Sequence, residues 1–134
     1  MSFDLMVFET AAAPKKKDEF MEWYDRQTEW EEDHDYMSAA VASPALQDWY
    51  MEMKETFPPM NGDDAPDMDS LSAEAEDFLT DYSIGREVIY AAFSWDKADE
   101  AYELACKLAQ KHGVGFFDVS GDSGIILPDG TLLE

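Results

Sequence analysis

Basic residues are scarce in this chain. Its 134 residues include 9 lysines and arginines against 31 aspartates and glutamates, a formal net charge of −22. Contacts to phosphate need clustered Lys and Arg, so the shortage argues against a nucleic-acid binder and against docking on an anionic membrane. Cysteine is nearly absent: Cys106 stands alone, cannot form an intrachain disulfide, and suits a reducing compartment. The two histidines, His34 and His112, are too few to build a zinc site. No apolar run approaches the length that spans a bilayer. Residues 1–13 lack a basic leader and carry Asp4 and Glu9, which makes a poor signal peptide. The expectation is a soluble, cytoplasmic protein.

Core-forming residues are plentiful. Hydrophobic residues make up 46% of the chain and aromatics 13%, which is enough for a core and inconsistent with a disordered tail. The length suits one domain, residues 1–134. The negative charge far exceeds what solubility requires, and its self-repulsion destabilises the compact state. A basic protein partner, or cations, would give that charge a use. A halophilic source would produce the same composition. So many like charges disfavour self-association, so a monomer or weak dimer is expected.

Val88 to Val119 organises the rest. Val88 to Phe93 is a short run of strand formers. Ala98, Ala101, Tyr102, Ala105, Leu108, Ala109 and His112 then recur at helical spacing. Ser94 suits an N-cap, with Asp96 in the first turn, and Gly113 suits a left-handed helix end. Gly115 to Val119 reads as a second strand. A β-α-β crossover of this length usually joins parallel neighbours. Cys106 lies beside the apolar stripe and reads as a packed thiol.

Upstream, Phe3 to Phe8 reads as a first strand. Phe20, Trp23, Tyr24, Gln27 and Trp30 mark a helix, whose opposite face carries Glu19, Glu22, Asp25, Glu29 and Glu32. Lysines 15–17 oppose the helix dipole, so the helix is expected to begin nearer Asp18. Ser43-Pro44 starts a second helix, with Leu46, Trp49, Tyr50, Met53 and Phe57 on one face and Pro58-Pro59 at its end. These two helices are expected to pack as a pair on one sheet face. Residues at about 60–75 read as an exposed acidic loop. Between Lys54 and Arg86 there are nine acids and no base. A short helical turn is possible within Leu71 to Leu79, and Asp81 to Gly85 leads into the Val88 strand. Gly121 to Gly124 turns the chain into Ile125-Ile126-Leu127, a C-terminal β-hairpin. The fold class is α+β: a single-layer mixed β-sheet of about four or five strands with the β-α-β unit, the hairpin and the helix pair.

Motifs with chemistry are weak. Gly121-Asp122-Ser123-Gly124 matches, by letters, the surroundings of the nucleophile in chymotrypsin-like proteases. That fold is a larger all-β double barrel, and a serine nucleophile needs an oriented base. Asp118, Ser120 and Asp122 resemble early calcium-loop ligands, but Ser123 and Asp129 replace the required Gly and Glu. Glu31, Glu32, Asp33, His34 and Asp35 could attract a hard cation loosely, yet a solvated helix end is the plainer reading. No catalytic residue, metal or cofactor is implied.

Five stretches are familiar together: Phe3-Asp4-Leu5-Met6-Val7-Phe8; Trp23-Tyr24 with Gln27-Thr28-Glu29-Trp30; Thr56-Phe57-Pro58-Pro59-Met60-Asn61-Gly62; Asp81-Tyr82-Ser83-Ile84-Gly85; and Gly113-Val114-Gly115-Phe116-Phe117-Asp118-Val119. The chain resembles a family of small acidic bacterial proteins that looks like the immunity proteins of polymorphic toxin systems, including contact-dependent growth inhibition. The resemblance covers most of the chain and carries no chemical motif, so no functional residue transfers from it. It implies a cytoplasmic protein that binds and blocks one cognate toxin.

The leading expectation is therefore a non-enzymatic acidic inhibitor of a basic toxin. Charge placement and nearby aromatics nominate Glu29, Trp30, Glu32, Asp33, Asp35, Tyr36, Asp63, Asp64, Asp67 and Asp69 as partner contacts. The alternative is a small enzyme or ligand-binding domain with a site beyond the parallel strand ends, near Ser94, Asp96, Asp118, Ser120 and Asp122. An adaptor domain is a third reading.

Overall fold

Apolar side chains on both faces place the first strand at the centre of the sheet. In β1 (Phe3–Phe8), Phe3, Leu5 and Val7 face one side and Met6 and Phe8 the other, and all five are buried. A strand buried on both faces belongs in the interior of a sheet. The computed structural model describes residues 2–30, 32, 36, 39–60, 65–67, 69, 71–121 and 123–133. Within them β1 is joined by β2 (Asp81–Ile84), β3 (Val88–Phe93), β4 (Gly115–Phe117) and β5 (Ile125–Ile126), in the order β2-β3-β1-β4-β5.

The α+β class, the single sheet and the C-terminal hairpin are as expected. The strand pairing differs in detail. Every pairing among the described strands is antiparallel rather than mixed. Val88 to Val119 does form strand, helix and strand, but β1 lies between β3 and β4, antiparallel to both. β3 and β4 therefore run in the same direction without touching. A crossover through α4 (Ala98–His112) is long enough to step over one strand, and β1 can bury both faces only in that gap. Asp81 to Ile84, read as a lead-in, is a strand of its own and pairs with β3 as a hairpin.

The helix pairing also differs. α2 (Pro44–Thr56) begins as its Ser43-Pro44 signal demands, with the Leu46 N–H donating to Ser43 Oγ at 3.4 Å. Its partner is α4, not α1 (Lys17–Gln27). Small residues decide this: Ala101, Ala105 and Ala109 are buried on α4 and let Leu46, Trp49 and Met53 approach closely. The buried Trp49 indole N–H donates to the Ala105 carbonyl at 3.1 Å and ties the pair together. Gly113 ends α4 at φ 72°, in the left-handed region.

α1 crosses the opposite sheet face, where Phe20 and Trp23 pack on Met6, Phe8 and Ile125. The Phe8 ring lies directly over Gly115, where a Cβ would collide with it. The short α3 (Ala73–Glu76) is capped by Ser72 Oγ, which accepts from the Ala75 N–H at 3.1 Å. The outer edge of β2 is partly blocked. The Ile84 N–H donates to the Tyr36 carbonyl at 2.8 Å, and Thr80 exchanges backbone bonds with Pro58 and Met60.

Candidate functional site

α1 covers only part of its sheet face. Its aromatics reach β1, β4 and β5, with Phe20 and Tyr24 both edge-on to Phe117. The β2–β3 end of that face stays open as a cleft of about 270 Å³. Tyr24, Thr28 and Trp30 form one wall, and Asp81, Ser83, Tyr90 and Ala92 form the floor. The antiparallel register puts Ser83 opposite Tyr90 and Asp81 opposite Ala92, which is why four residues from two strands share one surface.

The wall is held in an unusual backbone shape. Trp30 has φ 54° and Tyr36 has φ 63°, both in the left-handed region that bulky residues rarely adopt. Their rings meet edge-on at 5.1 Å, and Trp30 is edge-on to Tyr90 at 6.1 Å. Strained residues persist only where the surroundings hold them, and here three rings interlock. On the floor, the Tyr90 hydroxyl donates to Asp4 Oδ2 at 2.5 Å. Burial, then the Asp4 carboxylate, pushes the Tyr90 phenol well above its ordinary value. Burial also raises the Tyr24 phenol. Both phenols therefore stay neutral at physiological pH and serve as hydrogen-bonding groups. Asp81 is exposed and forms no ion pair among the described residues. Among the described residues, none that lines the cleft is basic.

A second hollow adjoins the first and shares Asp81 and Ala92 with it. Met60, Leu79 and Phe93 give it an apolar base, and Glu76 and Asp77 add acids beside Asp81. Met60 is 37% exposed, and nearby Trp95, which packs on Phe3, is 47% exposed.

The residues nominated from sequence are distributed around this cleft unevenly. Trp30 lines it, and Tyr36 braces Trp30 from behind. Glu29 is exposed, between the lining residues Thr28 and Trp30 in the chain. Glu32 is half-buried and reaches the β2–β3 turn, where Oε1 accepts from the Arg86 N–H at 3.1 Å. Asp67 and Asp69 are exposed, and the Asp69 N–H donates to Asp67 Oδ1 at 3.1 Å. Asp33, Asp35, Asp63 and Asp64 lie outside the described residues. The floor residues Asp81, Ser83 and Tyr90 escaped the sequence reading. The one available signal was the alternation of Tyr90 and Ala92 against the buried Ile89, Ala91 and Phe93.

The strand-end alternative meets a different geometry. β1 separates the ends of β3 and β4, and Asp4 occupies the space between them. The Asp4 N–H donates to Ser120 Oγ at 2.8 Å, and the Asp96 N–H to Ser94 Oγ at 3.4 Å. Asp118 is buried, its Oδ2 accepting from the Ser123 N–H at 3.1 Å, while its Oδ1 has no partner among the described residues. Gly121 leaves no room for a Cβ against that carboxylate, so the turn wraps around it. Asp122 lies outside the described residues. Ser123 Oγ accepts from the Tyr102 hydroxyl at 2.8 Å, whereas His112 contacts Glu52 of α2. Burial raises the half-buried Cys106 thiol above its ordinary value, which suits a packed thiol rather than a nucleophile. Among the described residues no group of three or more His, Cys, Asp or Glu is placed to hold a metal. No helix among them is long and apolar enough to cross a membrane.

Comparison with protein-family models, with curated proteins and with solved structures gives no match to this chain.

Proposed function

We propose that this is a non-enzymatic acidic binding protein that neutralises a basic protein. The resemblance of its sequence to immunity proteins makes a cognate toxin the partner of choice, met in the cytoplasm and blocked by covering its active or substrate-binding surface. The observation that carries the reading is the half-covered sheet face: an open cleft with aromatic walls and, among the described residues, a floor carboxylate in no ion pair and no basic lining residue. Glu22 and Asp25 on α1, and Glu29 just beyond its end, are further exposed acids of this segment. A toxin that handles phosphate is basic where it does so. A surface of opposite sign steers fast association, and aromatics at its centre supply anchoring area.

The test begins with capture of the partner from the native host at low and high salt, then measures binding of the purified pair. One basic partner should be held stoichiometrically and released in part by salt. Reversing Asp25 and Glu29 to Lys together should weaken affinity by about tenfold or more, mainly through slower association. Unchanged affinity after both reversals would remove this face from the interface.

A further inference from the structure

The cleft is too small for most ligands and has an unusual mixture of walls. Its volume of about 270 Å³ falls below the roughly 300–1,000 Å³ of small-molecule and cofactor sites, and it is open rather than enclosed. It is large enough for one long side chain. Trp30, Tyr24 and Tyr90 supply aromatic surface, and Thr28 and Ser83 supply hydroxyl acceptors. Asp81 supplies a carboxylate that is exposed and forms no ion pair among the described residues.

Each of these groups favours a cation, and together they favour a flat one. An aromatic face attracts positive charge through its quadrupole, most strongly for tryptophan. A guanidinium stacks on such a face while its edge pairs with a carboxylate through two parallel hydrogen bonds. A lysine ammonium is compact and strongly hydrated and matches only the charge. The Trp30 ring needs little reorganisation to receive a guest. Its left-handed backbone and its edge contacts to Tyr36 and Tyr90 already fix its position.

We infer that this cleft is the anchoring pocket for an arginine side chain of the basic partner protein, with the guanidinium stacked on Trp30 and paired with Asp81. This deepens the function proposed above and rests on it for the source of the arginine. The adjoining hollow at Met60, Leu79 and Phe93 then receives the neighbouring residue of the partner.

The test is an NMR titration of the full chain with N-acetyl-arginine amide, its lysine counterpart and its citrulline counterpart. Citrulline keeps the shape of arginine and removes the charge. The arginine probe should shift the Trp30 indole N–H and the Ser83 and Ala92 amides saturably. Lysine should bind several-fold more weakly, and citrulline should give no saturable shift. Asp81→Asn, a change at an exposed position, should weaken the arginine probe by about tenfold, a loss equivalent to about 1.4 kcal/mol. Trp30→Ala should do the same, and its folded state is checked from the amide spectrum. Shifts scattered over the whole acidic surface, or an Asp81→Asn protein that binds the probe unchanged, would overturn the pocket. A captured basic partner that binds Asp81→Asn and Trp30→Ala normally would also overturn it and leave the binder reading standing. An arginine probe seated in the cleft of a protein for which no basic partner can be captured would overturn the binder reading instead.

Discussion

The carboxylate of Glu32 accepts a hydrogen bond from the backbone N–H of Arg86 at 3.1 Å, across 54 positions of sequence. Its other oxygen lies beside Gly85, where an added Cβ would come within 3.1 Å. Two further bonds act next to it: the Glu32 N–H donates to the Tyr36 hydroxyl at 2.5 Å, and the Ile84 N–H to the Tyr36 carbonyl at 2.8 Å. The chain just beyond α1 is thereby fastened to the β2–β3 turn, beside the cleft that Trp30 walls.

This fastening separates two acids that look equivalent in sequence. Glu32→Ala removes the acceptor of a charge-assisted bond and should destabilise the protein by about 1–3 kcal/mol. Glu29→Ala touches an exposed side chain and should change stability by less than about 0.5 kcal/mol. Urea unfolding of both variants measures the contrast. Equal stability would mean that the Glu32 contact contributes nothing.

Gly115 should tolerate no side chain. It pairs with Phe8 in the sheet, and the Phe8 ring covers it. Gly115→Ala must push that ring into Phe20 and Trp23, which pack against it at 4.8 and 6.1 Å. The expected cost is about 1–3 kcal/mol, read as a lower melting temperature with near-ultraviolet circular dichroism altered by the moved rings. A variant as stable as the parent would show that α1 can shift to make room.

Glu52 makes stability depend on pH through the α2–α4 pair. Lys111 Nζ lies 2.6 Å from its carboxylate and His112 Nε2 2.8 Å. The hydrogen bond from Lys111, with a further one from His112, holds the carboxyl below its ordinary 4.5. A lowered folded-state value means that the stabilisation is complete above the unfolded value and fades as pH falls through the folded one. The melting-temperature gap between the parent and Glu52→Gln should therefore be widest near neutral pH and close as the solution is acidified below 4.5. The side chains are partly exposed, so salt should narrow the gap too. A gap that widens on acidification would contradict this assignment.

Much of the architecture was legible in local chemistry. Ser43-Pro44 started α2, Gly113 ended α4, and the short helical turn within Leu71 to Leu79 is α3. Burial on both faces of β1 follows from the apolar run Leu5-Met6-Val7-Phe8. The site was legible only in part. Trp30 and Tyr36 stood out as aromatics among acids, but Tyr90 looks like any strand residue until the fold sets it against Trp30 and Asp4. Asp81 and Ser83 were hidden because β2 is four residues long, with too few alternations to show a period.

The sequence by itself determined most of the elements, β2 excepted, and the sign of the surface. Apolar periodicity, caps and turn residues act within a few positions, and charge adds up regardless of fold. Only the tertiary structure decided which strands are neighbours, which helices pair and which sheet face stays open. Those outcomes depend on fit between distant residues: alanines on α4 that admit Trp49, a glycine that admits Phe8, and a central gap that only a strand apolar on both faces can fill. No local pattern encodes such a fit, because each partner is chosen by shape only after the others have packed.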